Sequence, residues 1–505
     1  MSRLSKPNSA TILDACHDPK LFGPWFDGGT WDAWFAFFAT VFGLELTEEW
    51  SQIFRACTGR TEIPTEAFTE VWCSCGRRAG KSLAAATLAV FLACFRNYNA
   101  YLKPGETGVV ILVAPDRRQS KVLLRYIMGF LRNVPFLKKL IVNERAESVD
   151  LANGIAIEVA TASHKTSRGF TAVAVIVDEA AFLPTDESSE PDTELLVALR
   201  PTLATIPNAL LLVISSPYAR RGELWKAFCK HFGKNSRVLF WKAASRTMNP
   251  SLPEQLVKDE LERDEASARA EYLAEFRSDV ERLVRQEVVD ACVVSSRFEL
   301  PQVADVQYAA FCDPSGGSSD SMTVGIAHSF GRAKNGGPAM QVAVLDALRE
   351  VRPPFSPDET VAEFCKLIRS YGLSEVHGDR YAGQWVVELF SKNGIKYRHS
   401  EKTRSELYLE LLPMLNSARV ELLDENHLRV QLCGLERRVS PIGKDTVDHP
   451  RGSHDDLANA AAGALVLAVS GISQGMVHVS CGGKSLTADK FSGNRGWTGL
   501  GRGAR

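Results

Sequence analysis

Val71-Trp72-Cys73-Ser74-Cys75-Gly76-Arg77-Arg78-Ala79-Gly80-Lys81-Ser82 is the stretch on which the fold turns. An apolar run leads into a glycine turn, and a long apolar segment follows from Ser82 to Phe95. Strand, glycine turn and helix in that order present backbone N–H groups and a helix N-terminus to a phosphate. Gly80-Lys81-Ser82 matches the end of the P-loop signature, which puts Lys81 on the β- and γ-phosphates and Ser82 on Mg²⁺. The first glycine of that signature is replaced by Cys75, and glycine comes one place later at Gly76. The turn that would line the nucleotide is therefore Gly76, Arg77, Arg78, Ala79, Gly80, Lys81 and Ser82. Arg77 is favoured over Arg78 as the guanidinium that reaches the γ-phosphate, with Arg78 left to solvent or DNA.

Downstream, Val173 to Val177 is a branched apolar run ending in Asp178-Glu179. An acid pair at the tip of such a strand supplies a Mg²⁺ carboxylate in Asp178. Glu179 then orients or deprotonates the attacking water. Gly108 to Ala114 and Leu210 to Ile214 read as further buried strands. Apolar strands separated by helices imply a parallel sheet covered on both faces. Ser215-Ser216-Pro217 at the tip of the last strand suits a γ-phosphate sensor, or an ordinary Ser-Pro turn. Arg168, Gln52 (as an adenine reader) and the basic helix start Asp116-Arg117-Arg118-Gln119 are weaker candidates for phosphate, base or DNA contact.

A second acid set lies further on. Asp313 ends Ala309 to Cys312, Asp379 ends Glu375 to Gly378, and Asp455-Asp456 opens an apolar helix. Tyr308 to Cys312, Met322 to Ala327 and Met340 to Leu345 are successive strand-like runs with short turns, an antiparallel meander. Acids at two strand ends and one helix start can converge on a metal pair. Two divalent ions about 3.5–4 Å apart stabilise both attacking and leaving oxygens in phosphodiester cleavage. Hard Mg²⁺ or Mn²⁺ calls for oxygen ligands. Asp455 and Asp456 are not distinguished, since one can face the metals while the other caps the helix. Asp320 is a candidate outer ligand and His454 a candidate orienting group.

Composition sets bounds on these readings. The 505 residues suggest two to four domains, and a net charge of −1 confines nucleic-acid contact to local patches. The eleven cysteines contain no CxxC pair, which argues for a reducing compartment and against a zinc ribbon or a disulfide framework. No secretory signal is legible, and the longest apolar stretches fall short of the ~20 residues that span a bilayer. A soluble cytoplasmic protein is expected. The expected domains are a helical N-terminal extension (1–65), a P-loop domain (66–285), a linker (286–306), a second α/β domain (307–475) and a basic flexible tail (476–505). From Gly482 the tail carries five Lys/Arg against one Asp.

Taken in order, GRRAGKS (76–82), VAVIVDEAAF (173–182), LLLVISSP (210–217), EYLAEF (271–276), DPSGGSSDSMTVGIAH (313–328), HGDRYAG (377–383) and SHDDLANAAAGAL (453–465) resemble the large terminase subunit of tailed bacteriophages. The resemblance spans roughly residues 50 to 470. It implies an ASCE-type P-loop ATPase with a mostly parallel sheet, followed by a ribonuclease H-like nuclease with a mixed sheet. It implies that Lys81, Ser82, Arg77, Asp178 and Glu179 drive ATP hydrolysis, with Ser215-Ser216 coupling it to movement. Asp313, Asp379 and one of Asp455/Asp456 become nuclease metal ligands, with Mg²⁺ or Mn²⁺ as the ion. The implied partners are double-stranded DNA, a small terminase subunit and a portal or procapsid, with the chain forming a ring, commonly of five, in the host cytoplasm and without a membrane. A helicase or repair ATPase-nuclease, and a catalytically silent DNA- or portal-binding prophage protein, are the competing readings.

Overall fold

The structure, a computed structural model, describes residues 10–160, 169–183, 188, 190–318, 320–332, 340–379, 383–439, 445–450 and 453–473. The basic tail and Arg168 lie outside the described residues. The chain divides into two units. The first holds residues 1–282 and 436–453, and the second holds 283–435 and 454–505. Among the described residues no helix is long and apolar enough to cross a membrane.

Unit 1 is built on an eight-stranded sheet: β1 (Glu70–Cys75), β2 (Gly108–Val113), β3 (Ile141–Glu144), β4 (Ser148–Leu151), β5 (Ile155–Ala160), β6 (Thr171–Asp178), β7 (Leu210–Ser215) and β8 (Val238–Ala243). The spatial order is β3-β4-β5-β2-β6-β7-β1-β8. From β5 to β8 every neighbouring pair is parallel. Since β7 stands between β1 and the acid-tipped β6, the arrangement is that of an ASCE ATPase. Both faces are covered, so these strands are apolar along nearly their whole length. The antiparallel edge of β3 and β4 carries alternating, partly polar residues and was not legible as strand in the sequence.

The aromatic N-terminal segment packs into the core of unit 1. In the helix Asp32–Val41 every residue from Ala33 onward is buried. Trp34, Phe37 and Phe38 pack into the cluster that holds Cys73, Cys75 and the helix Lys81–Phe95. Burying a ring of that size contributes on the order of 2 kcal/mol, which a peripheral helix would forgo. The charged stretch from 254 forms two helices, Glu254–Arg263 and Glu265–Leu273. Asp264 breaks the run and caps the second helix by accepting from the Ser267 amide at 3.0 Å.

Before the main sheet of unit 2 the chain passes β9 (Val280–Arg282). That sheet contains β10 (Tyr308–Asp313), β11 (Met322–Arg332), β12 (Met340–Val351), β13 (Glu375–Gly378), β14 (Lys396–His399) and β15 (Val420–Glu421), in the order β14-β13-β10-β11-β12-β15. β10, β11 and β12 form the expected antiparallel meander, and β13 and β14 add in parallel beside β10. This is the ribonuclease H-like order. The helix Asp456–Ser473 lies across β10, β11 and β12.

Two expected boundaries move. Residues 286–306 are packed into unit 2 and do not form a free linker. The helix Gln286–Cys292 starts them, the Val294 amide donates to the Leu422 carbonyl at 3.0 Å, and the Leu300 amide donates to the Asp346 carbonyl at 2.8 Å. The second domain is also interrupted, because β16 (Glu436–Val439) and β17 (Asp445–Asp448) belong to unit 1, where β16 pairs antiparallel with β9. Glu436 is fully buried there. Its carboxylate takes Arg221 on one oxygen and, on the other, the Tyr218 hydroxyl at 2.7 Å. A pairing between strands more than 150 residues apart leaves no local trace in the sequence.

Candidate active sites

The first site lies at the C-terminal ends of the parallel strands in unit 1. Cys75 ends β1 with its side chain fully buried, its sulfur 3.4 Å from that of Cys73. The displaced glycine has a spatial reason. A Cβ at Gly76 would overlap the Ser245 hydroxyl and lie 2.9 Å from the Glu271 and Tyr272 carbonyl oxygens. Gly80 has φ +94°, the left-handed region that glycine enters without strain, and opens the helix Lys81–Phe95.

The turn is pinned from outside. The Trp34 indole donates to the Ala79 carbonyl at 2.7 Å, Ser245 Oγ to the Arg77 carbonyl at 2.6 Å, and Asn249 Nδ2 to the Arg78 carbonyl at 2.8 Å. None of these three residues stood out in the sequence, because each reaches the turn from a distant segment. Arg77 and Arg78 are exposed. The Arg77 guanidinium stands 3.3 Å from the Glu271 carboxylate.

Lys81 is buried, and its ammonium meets four oxygens. It donates to the Cys75 carbonyl at 3.0 Å, the Gly76 carbonyl at 3.4 Å and Ser216 Oγ at 2.5 Å, and lies 3.4 Å from Glu179 Oε1. Glu179, at φ +50°, takes the Ser216 amide at 3.3 Å and the Ser215 hydroxyl at 3.4 Å on its other oxygen. Asp178 is buried beside it, and burial with the Glu179 charge pushes its carboxyl up to about 7 against the pull of Lys81. Ser82 follows in the first helical turn, partly buried. Lys81, Asp178, Glu179, Ser215 and Ser216 therefore lie together at the ends of β1, β6 and β7. Gln52 is exposed on the helix Glu48–Thr58, and Asp116 caps the helix Arg117–Asn133 by accepting from the Gln119 amide.

The second site lies in unit 2. Cys312 pairs with Gly378 in the parallel register of β10 and β13. Asp313 and Asp379 therefore leave neighbouring strands at the same end, about 4.8 Å apart in the pairing direction. The helix bearing Asp456 reaches them through close approaches. A Cβ at Gly325 would lie 2.8 Å from the Ala460 carbonyl, and one at Gly463 would enter the Phe311 ring. Asp456 Oδ2 accepts the Ser321 amide at 3.1 Å, and its carbonyl accepts the Thr323 hydroxyl at 2.7 Å. Burial pushes the Asp313 carboxyl well up, as do the charges of Asp456, Asp455 and Asp379, against a hydrogen bond from Asn459. Burial and then the Asp455 charge push Asp456 up to about 6.

The two adjacent acids part company. Asp455 is 1% exposed, with Oδ1 taking Arg404 Nη1 at 2.8 Å and Oδ2 the Tyr408 hydroxyl at 2.8 Å. Both its oxygens are committed to the protein. Asp456 is partly open beside Asp313. His454 and Asp320 form an exposed pair at 3.5 Å. Among the described residues no three His, Cys, Asp or Glu side chains are already gathered at coordinating spacing. Even so, the donor set fits a hard divalent cation. Asp313, Asp379 and Asp456 lie at one end of a sheet, and burial together with neighbouring carboxylate charge pushes the Asp313 and Asp456 carboxyls up.

Residues 72–283 match the family model for the N-terminal part of the large terminase subunit, T4-like-virus type. No curated protein matches the sequence. Among solved structures, the bacteriophage HK97 large terminase aligns at 14% identity over 83% of this chain and 95% of its own, with a TM-score of 0.37. The large terminase of a thermophilic bacteriophage aligns at 13% identity over 80% and 94%, with a TM-score of 0.35. The ATPase domain of the Thermus phage P74-26 large terminase aligns at 19% identity over 47% and 97%, with a TM-score of 0.34. The family match lies on the phosphate turn, the acid-tipped strand and the Ser215-Ser216 strand, so residues 72–283 are similar to the N-terminal part of large terminase subunits.

Proposed function

We propose that this chain is a viral DNA-packaging motor subunit in which ATP hydrolysis drives double-stranded DNA into a procapsid and a metal-dependent nuclease cuts concatemeric DNA. The observation that carries the first half is the shared network of Lys81, Glu179 and Ser216. The lysine that would hold phosphate and the acid that would orient water are paired with each other, and both touch the tip of β7. A γ-phosphate competes with Glu179 for Lys81, frees the acid for the water, and loosens its hold on Ser215 and Ser216. Hydrolysis is thereby coupled to a movement of β7. Ser82 and Asp178 would hold Mg²⁺, which neutralises phosphate charge. Arg77 must leave Glu271 to act on the γ-phosphate.

In the nuclease, Asp313, Asp379 and Asp456 would hold Mg²⁺ or Mn²⁺, which activates water and stabilises the leaving oxygen. Asp455 positions the helix through Arg404 and Tyr408. A small terminase subunit, a portal and a ring of copies are the partners this reading requires. The purified chain is incubated with plasmid and Mn²⁺, with and without ATP, beside Lys81→Ala and Asp313→Ala. Lys81→Ala should abolish ATP turnover and spare cleavage, and Asp313→Ala should do the reverse. Strand separation in place of translocation would favour a helicase. Absence of both activities with DNA and capsid partners present would leave a binding protein.

A further inference from the structure

The nuclease site contains a buried amide that its acids do not account for. Asn459 is 1% exposed and stands three residues after Asp456, on the same face of the helix Asp456–Ser473. Its Nδ2 donates to Asp313 Oδ2 at 2.9 Å, joining the helix to the end of β10. Its Oδ1 is buried without a hydrogen-bond partner among the described residues. Burying an amide oxygen unpaired is costly, so such an atom calls for a donor from a ligand or its hydration shell. A purely structural asparagine would have both ends satisfied by protein. Here one end is fixed on a candidate metal ligand and the other is left on the same planar group.

We propose that Asn459 is a positioning residue of the cation site, whose amide N–H fixes the Asp313 carboxylate while its Oδ1 accepts a hydrogen bond from a cation-bound water. The inference rests on the reading of Asp313 and Asp456 as cation ligands. It adds a neutral group that sets which Asp313 oxygen faces the ion. The rotamer of a carboxylate so held is selected before the ion arrives, and outer-shell partners of this kind typically change metal affinity by about 10–100-fold.

The test uses the full chain without nucleotide, titrated with MnCl₂ and followed by thermal unfolding. Wild type should be stabilised by Mn²⁺, and Asp313→Asn should lose that response. Asn459→Leu, which keeps the volume, should shift the half-stabilising Mn²⁺ concentration upward by about tenfold or more, and plasmid cleavage should recover at high Mn²⁺. If Asn459→Leu does not fold, Asn459→Ser is read the same way, since its hydroxyl is too short to keep the Asp313 contact. A lowered metal-free melting temperature with an unchanged Mn²⁺ midpoint would mean that Asn459 is only structural, and would overturn the inference. If wild type shows no Mn²⁺ response, or Asp313→Asn keeps it, the cation reading itself fails and this inference falls with it.

Discussion

Gly463→Ala tests how Asp313 and Asp456 are brought together. In an ordinary helix interior this substitution stabilises by about 1 kcal/mol, because alanine loses less backbone freedom than glycine. Here the new Cβ would lie 2.5 Å from Phe311 Cδ1 and closer still to two other ring carbons. Carbon atoms pack at about 3.5–4.0 Å, so the ring or the helix must move by about 1 Å or more. Phe311 is 1% exposed on β10, two residues before Asp313, and has no room to give. Overpacking of this kind costs about 1–3 kcal/mol. The net expectation is a destabilisation of unit 2 by up to about 2 kcal/mol, a fall in its melting temperature of up to roughly 8 °C. Cleavage should fall further than stability explains, because the same movement separates Asp456 from Asp313. The assay is thermal unfolding of the full chain beside plasmid cleavage and ATP turnover, with turnover preserved. Phe311→Leu combined with Gly463→Ala should recover part of the loss in a double-mutant cycle. An increase in melting temperature on Gly463→Ala, or strict additivity with Phe311→Leu, would refute the reasoning.

Three further outcomes follow from the same contacts. Asp456→Asn removes a like charge beside Asp455 and should raise the cation-free melting temperature of unit 2, whereas Asp455→Asn weakens the Arg404 and Tyr408 contacts and should lower it; equal shifts in thermal unfolding would contradict the division of roles. Arg221→Ala leaves Glu436 buried with Tyr218 and a more distant Arg438 at 3.7 Å, and should cost unit 1 about 2–4 kcal/mol in urea unfolding; a cost under ~0.5 kcal/mol would mean the carboxylate reaches water. Glu350 is pushed up by burial but pulled further down, to about 2, by hydrogen bonds from His427 and Ser321. A carboxyl depressed in the folded state adds stability above its ordinary value of 4.5 and loses it as pH falls toward about 2. Glu350→Gln should therefore flatten the acid limb of unit 2 unfolding between those values, and an unchanged limb would show that the pair is not formed.

Much of the first site was legible because its chemistry is local. Gly80-Lys81-Ser82 must sit where a strand becomes a helix, and Asp178-Glu179 must cap an apolar strand. The residues that shape the cradle were not legible: Trp34, Ser245, Asn249 and Glu271 bond to the turn from distant segments on either side of it in the chain. Gly76 looked like a departure from the signature and proved to be the position where backbone from 271–272 leaves no space for a Cβ.

Period, turn residues and strand-tip polarity are properties of neighbours along a chain, so the apolar strands, the two acid sets and their order could be read from the residues alone. That Asp455 turns inward to Arg404 and Tyr408 while Asp456 lies beside Asp313 came from packing between distant segments. Adjacent residues on a helix point about 100° apart, and which one meets the sheet depends on how the helix lies against β10 and β11. The same holds for the aromatic N-terminal helix, now core, and for β16 beside β9. In each case the decision rests on close packing and hydrogen bonds between distant segments.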